Sequence, residues 1–421
     1  MRAVKALEVL DSRGNPTLRA CVETEVSKGC GDAPAGASRG KSEALELRDG
    51  GERLGGKGVR RAIFIVENII APALVGIDVV DQRRVDLAMI ALDGTKQKEK
   101  LGANSTIAVS VAASRAAAQA LGIPLYAHLG GISPRKFPLP LMNLINGGAH
   151  AGNELDFQEF LVVPAGADSL ADSVWLGAEI YRALRNLVAE RFGKQFTSVA
   201  DEGGFAPPLR DPREALRLLE KAVERVGVSL GSDVFFGIDA AASRLYDESS
   251  GVYSVAGRRM SRGELVDYYR ELASEFPLKY LEDPLWEEDF AGFAELQRSL
   301  EPLGVTVVGD DLYTTNLDRL ASGARQRSTR GAIVKPNQIG TVSEAVDFAR
   351  EARASGMLVV VSHRSGDTED AFVADLAIAL ESDFVKFGAP ARGERTAKYN
   401  RLIEIEAELA GTTRPLRSMA Q

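Results

Sequence analysis

The sequence predicts an α/β protein in which a small amino-terminal α+β domain precedes a closed barrel of parallel strands. Three observations predict this class. Short apolar runs alternate with helical patterns from residue 137 onward, several of these runs end on a charged residue, and the first 125 residues lack the alternation. The strand ends of a closed parallel barrel meet on one face, and that face carries the chemistry of such folds.

The first 125 residues begin with two strands and continue with three helices. Residues 3–9 and 17–26 alternate as antiparallel strands do, and the turn-rich segment between them predicts a hairpin. Helices are expected to begin near Val59, Val80 and Asn104, because apolar residues recur there at helical spacing.

A small, polar, glycine-bearing segment at residues 35–42 follows the hairpin. Its composition predicts a mobile loop with little to pack. The segment is either a plain surface loop or a lid whose Ser38 reaches a ligand. The composition alone favours the plain loop.

From residue 137 the pattern becomes that of a barrel. Two early strands are predicted at residues 139–145 and 157–163, and two helical stretches within residues 169–192. Six strand–helix units then run to about residue 409. Residues 197–201 resemble a further strand, but we assign them to a loop because a Gly- and Pro-rich sequence follows at once.

The predicted domain boundary lies at residues 130–135, which are rich in Gly, Pro and Ser. It divides the chain into a capping domain, residues 1–130, that carries the candidate lid loop, and a barrel, residues 131–421, that carries the candidate site.

Acids and lysines follow the predicted barrel strands. The run that ends in Lys335 is short and apolar, and a lysine is rarely buried without a task. The converging set consists of the acids Asp239, Glu282 and Asp310 and the lysines Lys335 and Lys386. It predicts a metal cage facing a pair of cations.

Three carboxylates from three strand ends suit a hard cation such as Mg²⁺, which takes oxygen ligands. Zn²⁺ is a poorer fit, because no cysteine and no clustered pair of histidines accompanies the acids. The alternative is a network of ion pairs at the mouth of the barrel, without a metal.

The two lysines suggest base chemistry. A lysine near another cation and a metal has its ammonium form disfavoured, so it can act as a base near neutral pH. A base beside Mg²⁺ predicts removal of a proton next to a carboxylate, with the charge that develops held by the metal.

Other polar residues near strand ends or in loops are candidates for further roles. Glu202 lies in an Asp-Glu-Gly-Gly segment, where a protonated glutamic acid can act as a general acid; the alternative for Glu202 and Glu159 is a solvated surface acid. The segment that begins at His363 indicates an anion clamp, because Arg364 offers a bidentate fork for phosphate.

Composition excludes several classes of protein. With 421 residues and a net charge of −8, the chain has a large core and no broad basic surface for nucleic acid. No apolar run is long enough for a signal peptide or a membrane span. Its two cysteines, Cys21 and Cys30, are therefore expected to be reduced thiols in a cytoplasm.

The chain resembles the enolase family, and most of all its archaeal members, along nearly its whole length. The matching segments are, in order, LDSRGNPT, GASRG, LGAN, MNLINGGAHAGN, FQEF, DEGGFAPP, LEDP, GDDLYTTN, VKPNQIGT, SHRSGDTED and GAPARGERTAKYN. No single segment is decisive, but so many in one order are highly specific. A lysine base with Mg²⁺ is the established arrangement of that superfamily, and the lysines and acids of this chain are similar to it.

The resemblance implies Mg²⁺-dependent interconversion of 2-phospho-D-glycerate and phosphoenolpyruvate. In that scheme Lys335 takes the C2 proton, and Glu202, assisted by Glu159, protonates the departing C3 hydroxyl. Asp239, Glu282 and Asp310 hold the first Mg²⁺, and Ser38 joins a second. The substrate is positioned by His150, Gln158, His363, Arg364, Ser365 and Lys386.

The resemblance also implies the fold, a ββαα(βα)6 variant of the TIM-type barrel behind an α+β cap. It implies a homo-oligomer, a dimer or an octamer, in the cytoplasm, with a small phosphorylated carboxylic acid as substrate and neither a nucleic acid nor a membrane as partner. A protein that had kept only the fold would have lost at least one of Lys335, Glu202 or the three metal acids, and all are present.

Some residues depart from the family pattern. Arg39 stands where a Thr is usual, Phe387 where a small Thr is usual, Arg244 in place of a Glu, and Trp175 in place of an Arg. None removes a chemical group from the site. Arg39 and Phe387 motivate an alternative function, a family paralogue that acts on a modified phospho- or phosphono-glycerate.

Overall fold

The structure, a computed structural model, describes residues 1–36, 39–131, 134 and 136–409. Its first strands, β1 (Ala3–Leu10), β2 (Pro16–Glu23) and β3 (Lys28–Asp32), form an antiparallel sheet in that order. The predicted hairpin is thus present. Its second strand was predicted too long: the chain turns at residues 24–27, where the Thr24 hydroxyl accepts from Ser27 N–H at 2.9 Å, and returns as β3.

The expectation of two reduced thiols is wrong, because Cys21 and Cys30 form a disulfide. The two residues lie directly opposite each other on β2 and β3, with their Cα atoms 4.1 Å apart. Facing residues of antiparallel strands approach this closely only in one register. The sequence does not reveal that register, because it gives no clear signal for the turn between β2 and β3.

We expect the disulfide to stabilise the amino-terminal sheet. A cross-link that closes a loop of this size stabilises a fold by about 2–3 kcal/mol, chiefly by restricting the unfolded chain. Replacing Cys21 and Cys30 together by Ala should lower the free energy of unfolding by that amount. Urea titration of the oxidised protein, the reduced protein and the double variant measures it. Equal midpoints for all three would contradict the prediction.

Helices follow this sheet in the chain and pack against it or against one another. They are α1 (Arg60–Ile65), a π-helical turn (Val66–Ile70), α2 (Ala71–Leu74), α3 (Gln82–Asp93), α4 (Ala103–Leu121) and α5 (Leu125–Gly130). The starts of α1, α3 and α4 agree with the predicted ones. Helix α4 approaches β3 so closely that a Cβ on Gly29 would lie 2.3 Å from the Ala112 carbonyl oxygen. The alanines of α4 permit this contact.

Eight strands close a barrel, as predicted. They are β4 (Leu139–Asn146), β5 (Glu159–Val163), β6 (Phe235–Asp239), β10 (Leu278–Glu282), β11 (Thr306–Gly309), β12 (Gly331–Val334), β13 (Leu358–Ser362) and β14 (Phe384–Lys386). A small sheet of β7 (Tyr246–Asp247), β8 (Val252–Val255) and β9 (Arg258–Met260) follows β6. All barrel neighbours are parallel except β5, which is antiparallel to β4 and to β6.

The helices complete the ββαα(βα)6 order. They are α6 (Leu170–Phe192), α7 (Pro212–Val226), α8 (Arg262–Glu275), α9 (Phe290–Leu300), α10 (Leu317–Gln326), α11 (Pro336–Ile339), α12 (Val342–Ala354), α13 (Phe372–Ala379) and α14 (Gly393–Glu408). The two helical stretches predicted within residues 169–192 are one continuous helix, α6, because no residue there breaks it. None of the helices in the described part of the chain has both the length and the apolar composition that a membrane crossing needs.

The barrel interior is closed by apolar side chains beneath the charged strand ends. Its fully enclosed members are Leu141, Leu161, Val163, Tyr280, Val308, Ile333 and Val360. Tyr280 connects this layer to the site, since its hydroxyl donates to Glu282 Oε2 at 2.6 Å. The charged groups therefore lie above a layer of apolar side chains, where electrostatic interactions are stronger than in water.

Candidate active site

Three neighbouring strands carry the predicted acids to one place. Asp239 ends β6 and Glu282 ends β10, and the two residues are paired in register across those strands. Asp310 directly follows β11, the next strand of the barrel. All three carboxylates are buried.

Lys386 lies among these acids. Its Nζ is 2.9 Å from Asp239 Oδ2, 2.8 Å from Glu282 Oε2 and 3.2 Å from Glu159 Oε2. The surrounding carboxylates raise the pKa of Lys386 well above its usual range, although burial opposes the shift. Lys386 is therefore an ammonium ion at the centre of the acid cluster.

Lys335 sits beside Asp310, with its Nζ donating to Asp310 Oδ2. Burial alone would lower the pKa of Lys335, but the Asp310 charge outweighs burial and raises it. The sequence predicted that the ammonium form of Lys335 is disfavoured, and this is not met while Lys335 is the cation that pairs with Asp310. Lys335 would lose its proton more readily if Asp310 shared its charge with another cation.

The buried acids Asp239, Glu282 and Asp310 have too few positively charged neighbours for all of them to stay ionised. Burial, and then the charge of Asp239, raises the pKa of Glu282 to about 8. Carboxylates this close cannot all remain ionised in a buried site without cations. Lys386 stands where a cation is stabilised, between Asp239 and Glu282. The donor set, made of carboxylate oxygens only, fits a hard divalent cation.

A second group of acids lies beside the first. Oxygens of Asp283, Asp310 and Asp311 all lie within 4.8 Å of one another, which is close enough to hold a metal ion. The predicted trio of Asp239, Glu282 and Asp310 does not meet that distance, and Lys386 lies between Asp239 and Glu282. Asp310 belongs to both groups, so the two arrangements compete for it.

Sequence reasoning assigned no role to Asp283. Its backbone has φ 41°, in the left-handed region, and its carboxylate accepts from the N–H groups of Asp310 at 3.0 Å and Asp311 at 2.7 Å. Strained backbone of this kind costs on the order of 1–3 kcal/mol and tends to occur at functional sites. Asp283 thus orients the chain after β11. Its place in the LEDP motif is the only signal that the sequence offers.

A proton-handling cluster faces the acids. One ligand atom each from His150, Glu159 and Glu202 lies within 4.8 Å of the other two. His150 Nδ1 is 3.5 Å from Glu202 Oε2, and the Asn143 amide donates to the same oxygen at 3.0 Å. Glu159 begins β5, opposite Asp239 on β6. All of these side chains are buried.

The two glutamates have opposite protonation tendencies. Burial, and then the Glu202 charge, raises the pKa of Glu159 well above its usual range. Burial would raise the pKa of Glu202, but the hydrogen-bonding His150 ring and the Arg395 guanidinium lower it well below its usual range. A proton held by the pair therefore favours Glu159 over Glu202.

Gln158 and His363 flank this cluster. The Gln158 amide lies 3.3 Å from Asp239 Oδ2, and His363 Nε2 lies 3.5 Å from Glu202 Oε1. Burial, and then the charge of Arg395, holds the pKa of His363 well below its usual range. His363 is therefore a neutral imidazole.

The guanidinium of Arg364, which was predicted to bind phosphate, is hydrogen-bonded to a glutamate. Arg364 Nη1 donates to Glu43 Oε2 at 3.0 Å and Nη2 to Glu43 Oε1 at 3.2 Å, with all of these groups buried. Glu43 also accepts from the backbone N–H of Gly40 at 3.1 Å, so it ties Arg364 to the candidate lid loop. Sequence reasoning missed Glu43. Ser365 lies beside Arg364, while Ser38 lies outside the described residues.

Most of these side chains, though not Glu282, line a cavity of about 30 Å³. A larger cavity of about 630 Å³ adjoins it and shares Gln158 and Ala241 with it. The larger cavity has room for a small organic acid. Arg39 and Phe387 line neither, and Phe387 packs on Tyr399 in the interior with ring centres 5.9 Å apart.

Family models match both parts of the chain. The model described as the enolase N-terminal domain matches residues 1–129, and the model described as the enolase C-terminal TIM barrel domain matches residues 134–415. Together these matches leave few residues uncovered.

Curated proteins named enolase are similar over nearly the full length. The enolase of Thermococcus gammatolerans is 52% identical over 409 residues, which is 97% of this chain and 95% of the relative. The enolase of Methanopyrus kandleri is 52% identical over 97% of this chain and 96% of its own. The enolase of Aeropyrum pernix is 50% identical over 97% and 95%.

Proposed function

Because the chain belongs to the enolase family, we propose that its site dehydrates 2-phospho-D-glycerate reversibly to phosphoenolpyruvate. The protein is a hydro-lyase of glycolysis. The observation that carries the assignment is the joint placement of a lysine, a buried pair of glutamates and three buried acids at the strand ends of one barrel.

Lys335 Nζ takes the C2 proton in this proposal. Lys386 contacts three carboxylates, those of Asp239, Glu282 and Glu159, whereas the ion pair of Lys335 is with Asp310, so Lys335 is the lysine that we assign as the base. Glu159 and Glu202 act as a unit, and the proton that they share goes to the C3 hydroxyl as it leaves. We add to the predicted scheme that Glu159 holds this proton at rest, which its raised pKa supports.

Asp239, Glu282 and Asp310 are proposed to hold the first Mg²⁺, and Ser38 to join a second. A bound Mg²⁺ neutralises the charge that develops on the substrate carboxylate. Arg364, Ser365, Gln158, His150 and His363 are proposed to orient the phosphate and the carboxylate. The Arg364 fork suits a phosphate because it already holds the two oxygens of Glu43.

We further propose the division into residues 1–130 and 131–421, which the family-model boundaries at 129 and 134 support. A homo-oligomer, dimer or octamer, and a cytoplasmic location remain proposals from the family resemblance. The alternative, a paralogue for a modified phosphoglycerate, gains no support. Phe387 is a core residue, and Arg39 donates to the Glu43 carbonyl at 2.7 Å, outside the cavity lining.

The test is a coupled assay of 2-phosphoglycerate turnover during Mg²⁺ titration at several pH values. Activity should vanish with chelator and return with Mg²⁺. Glu282 must lose its proton to bind a cation, so the half-saturating Mg²⁺ concentration should fall as pH rises towards about 8 and level off above it. Full activity in excess chelator, or a half-saturating concentration that does not change with pH, would contradict the proposal.

A further inference from the structure

Arg395 is a fully enclosed arginine in the first turn of α14, and no role was predicted for it. Its Nη1 donates to the Arg364 carbonyl at 2.7 Å, and its Nη2 donates to the carbonyls of Ser365 at 2.6 Å and Asp201 at 3.0 Å. One guanidinium thus joins two segments of the site that are far apart in the sequence. A carboxylate is not its main partner: Glu394 lies 3.4 Å from its Nε and Asp367 3.8 Å from Nη1.

Arg395 also contacts a side chain of the site. Its Nη1 lies 2.6 Å from His363 Nδ1. A guanidinium has only N–H donors and stays protonated, so His363 Nδ1 must be the acceptor. A neutral imidazole that accepts at Nδ1 carries its proton on Nε2, and an imidazolium cannot accept at all. This contact therefore selects one of the two neutral tautomers.

The selected tautomer has a consequence at Glu202. His363 Nε2 lies 3.5 Å from Glu202 Oε1, and this buried nitrogen has no hydrogen-bond partner among the described residues. With its proton on Nε2, the imidazole presents a donor to that carboxylate and to any oxygen placed between them. With its proton on Nδ1, it would turn a lone pair toward the carboxylate, and the two would repel.

We propose that Arg395 is a positioning residue that holds His363 in the Nε2–H tautomer, so that an N–H donor faces Glu202 and the leaving oxygen of the substrate. The same guanidinium fixes the distance between the two, because it binds the chain at Asp201, next to Glu202, and at Arg364, next to His363. The inference rests on the proposed role of Glu202. It adds a residue that acts through another and does not touch the reacting atoms.

The direct test is ¹⁵N NMR of the full chain with labelled histidine. The chain has only three histidines, at positions 128, 150 and 363, so His128→Gln and His363→Gln assign the signals. Wild-type His363 should show a protonated Nε2 and a bare Nδ1 near neutral pH. An imidazolium, or a proton on Nδ1, would overturn the inference without any variant of Arg395.

Arg395→Met removes the donor at Nδ1. His363 should then become a mixture of tautomers, and kcat should fall about 10²-fold with a smaller change in KM, as for the loss of a partner that orients a catalytic group. Arg395→Lys, which keeps one charged donor, should recover part of both effects. A fall in kcat with the His363 tautomer unchanged would mean that Arg395 only holds the chain together, and the inference would fail.

Arg392 provides a matched control. It precedes the same helix and donates to the Ala200 carbonyl at 3.2 Å, but it makes no contact with His363 among the described residues. Arg392→Met should therefore loosen the same segment and leave the His363 tautomer as in the wild type. If wild-type enzyme lacks 2-phosphoglycerate turnover while His363 has its proton on Nε2, the proposed function fails and the tautomer assignment stands.

Discussion

Lys335→Ala should abolish exchange of the C2 hydrogen of 2-phosphoglycerate with solvent deuterium. The reason is that the second lysine of the described site, Lys386, is not free to take that proton. Lys386 is enclosed by three carboxylates, and its pKa is raised well above the usual range, so it holds its proton. A general base contributes roughly 10²–10⁴-fold to rate, so the loss should be plain above background.

Variants of the acid pair should behave in the opposite way. Glu202→Gln and Glu159→Gln should stop dehydration but keep C2 exchange, since the lysine and the three acids remain. Glu159→Gln resembles the protonated carboxyl in shape and charge, so it removes the transferable proton with little electrostatic change. Deuterium incorporation by NMR and phosphoenolpyruvate formation by absorbance measure the two steps separately. Exchange that survives without Lys335 and disappears without Glu202 would reverse the roles.

The placement of the candidate site residues on the barrel could be predicted because a barrel strand is a short, local pattern. Runs of apolar residues that end in Asp239, Glu282 or Lys335 mark both the strand and the face on which it ends. The direction of β5 could not be predicted in this way. All five of its residues are buried, so its pattern is the same in a parallel and an antiparallel pairing.

The partners of the charged groups could not be predicted from the sequence, because they depend on contacts between distant segments. Arg364 and Glu43 are separated by 321 residues, and nothing near either one shows that they meet. Lys386 was expected to face the acids and instead lies between them. The disulfide was missed for the same reason, since the register of β2 and β3 decides it.

Asp310→Asn should raise the half-saturating Mg²⁺ concentration by more than about 100-fold. Loss of a residue that only supports a metal ligand costs about 10–100-fold in affinity, and Asp310 is proposed as a ligand itself. The fold should survive, because an Asn oxygen can still accept from the Gln338 amide, which now donates to Asp310 Oδ1 at 2.9 Å. Isothermal titration with Mg²⁺ measures the affinity without requiring turnover.

Two further variants decide which group of acids holds the first metal ion. Glu282 belongs only to the predicted trio, and Asp311 belongs only to the compact group of Asp283, Asp310 and Asp311. If the trio binds Mg²⁺, Glu282→Gln should weaken binding about as much as Asp310→Asn, and Asp311→Asn should weaken it far less. Strong weakening by Asp311→Asn together with an unchanged isotherm for Glu282→Gln would move the metal to the other group. Asp310 would then remain a ligand, but Lys386 would keep the position between Asp239 and Glu282 that it now occupies.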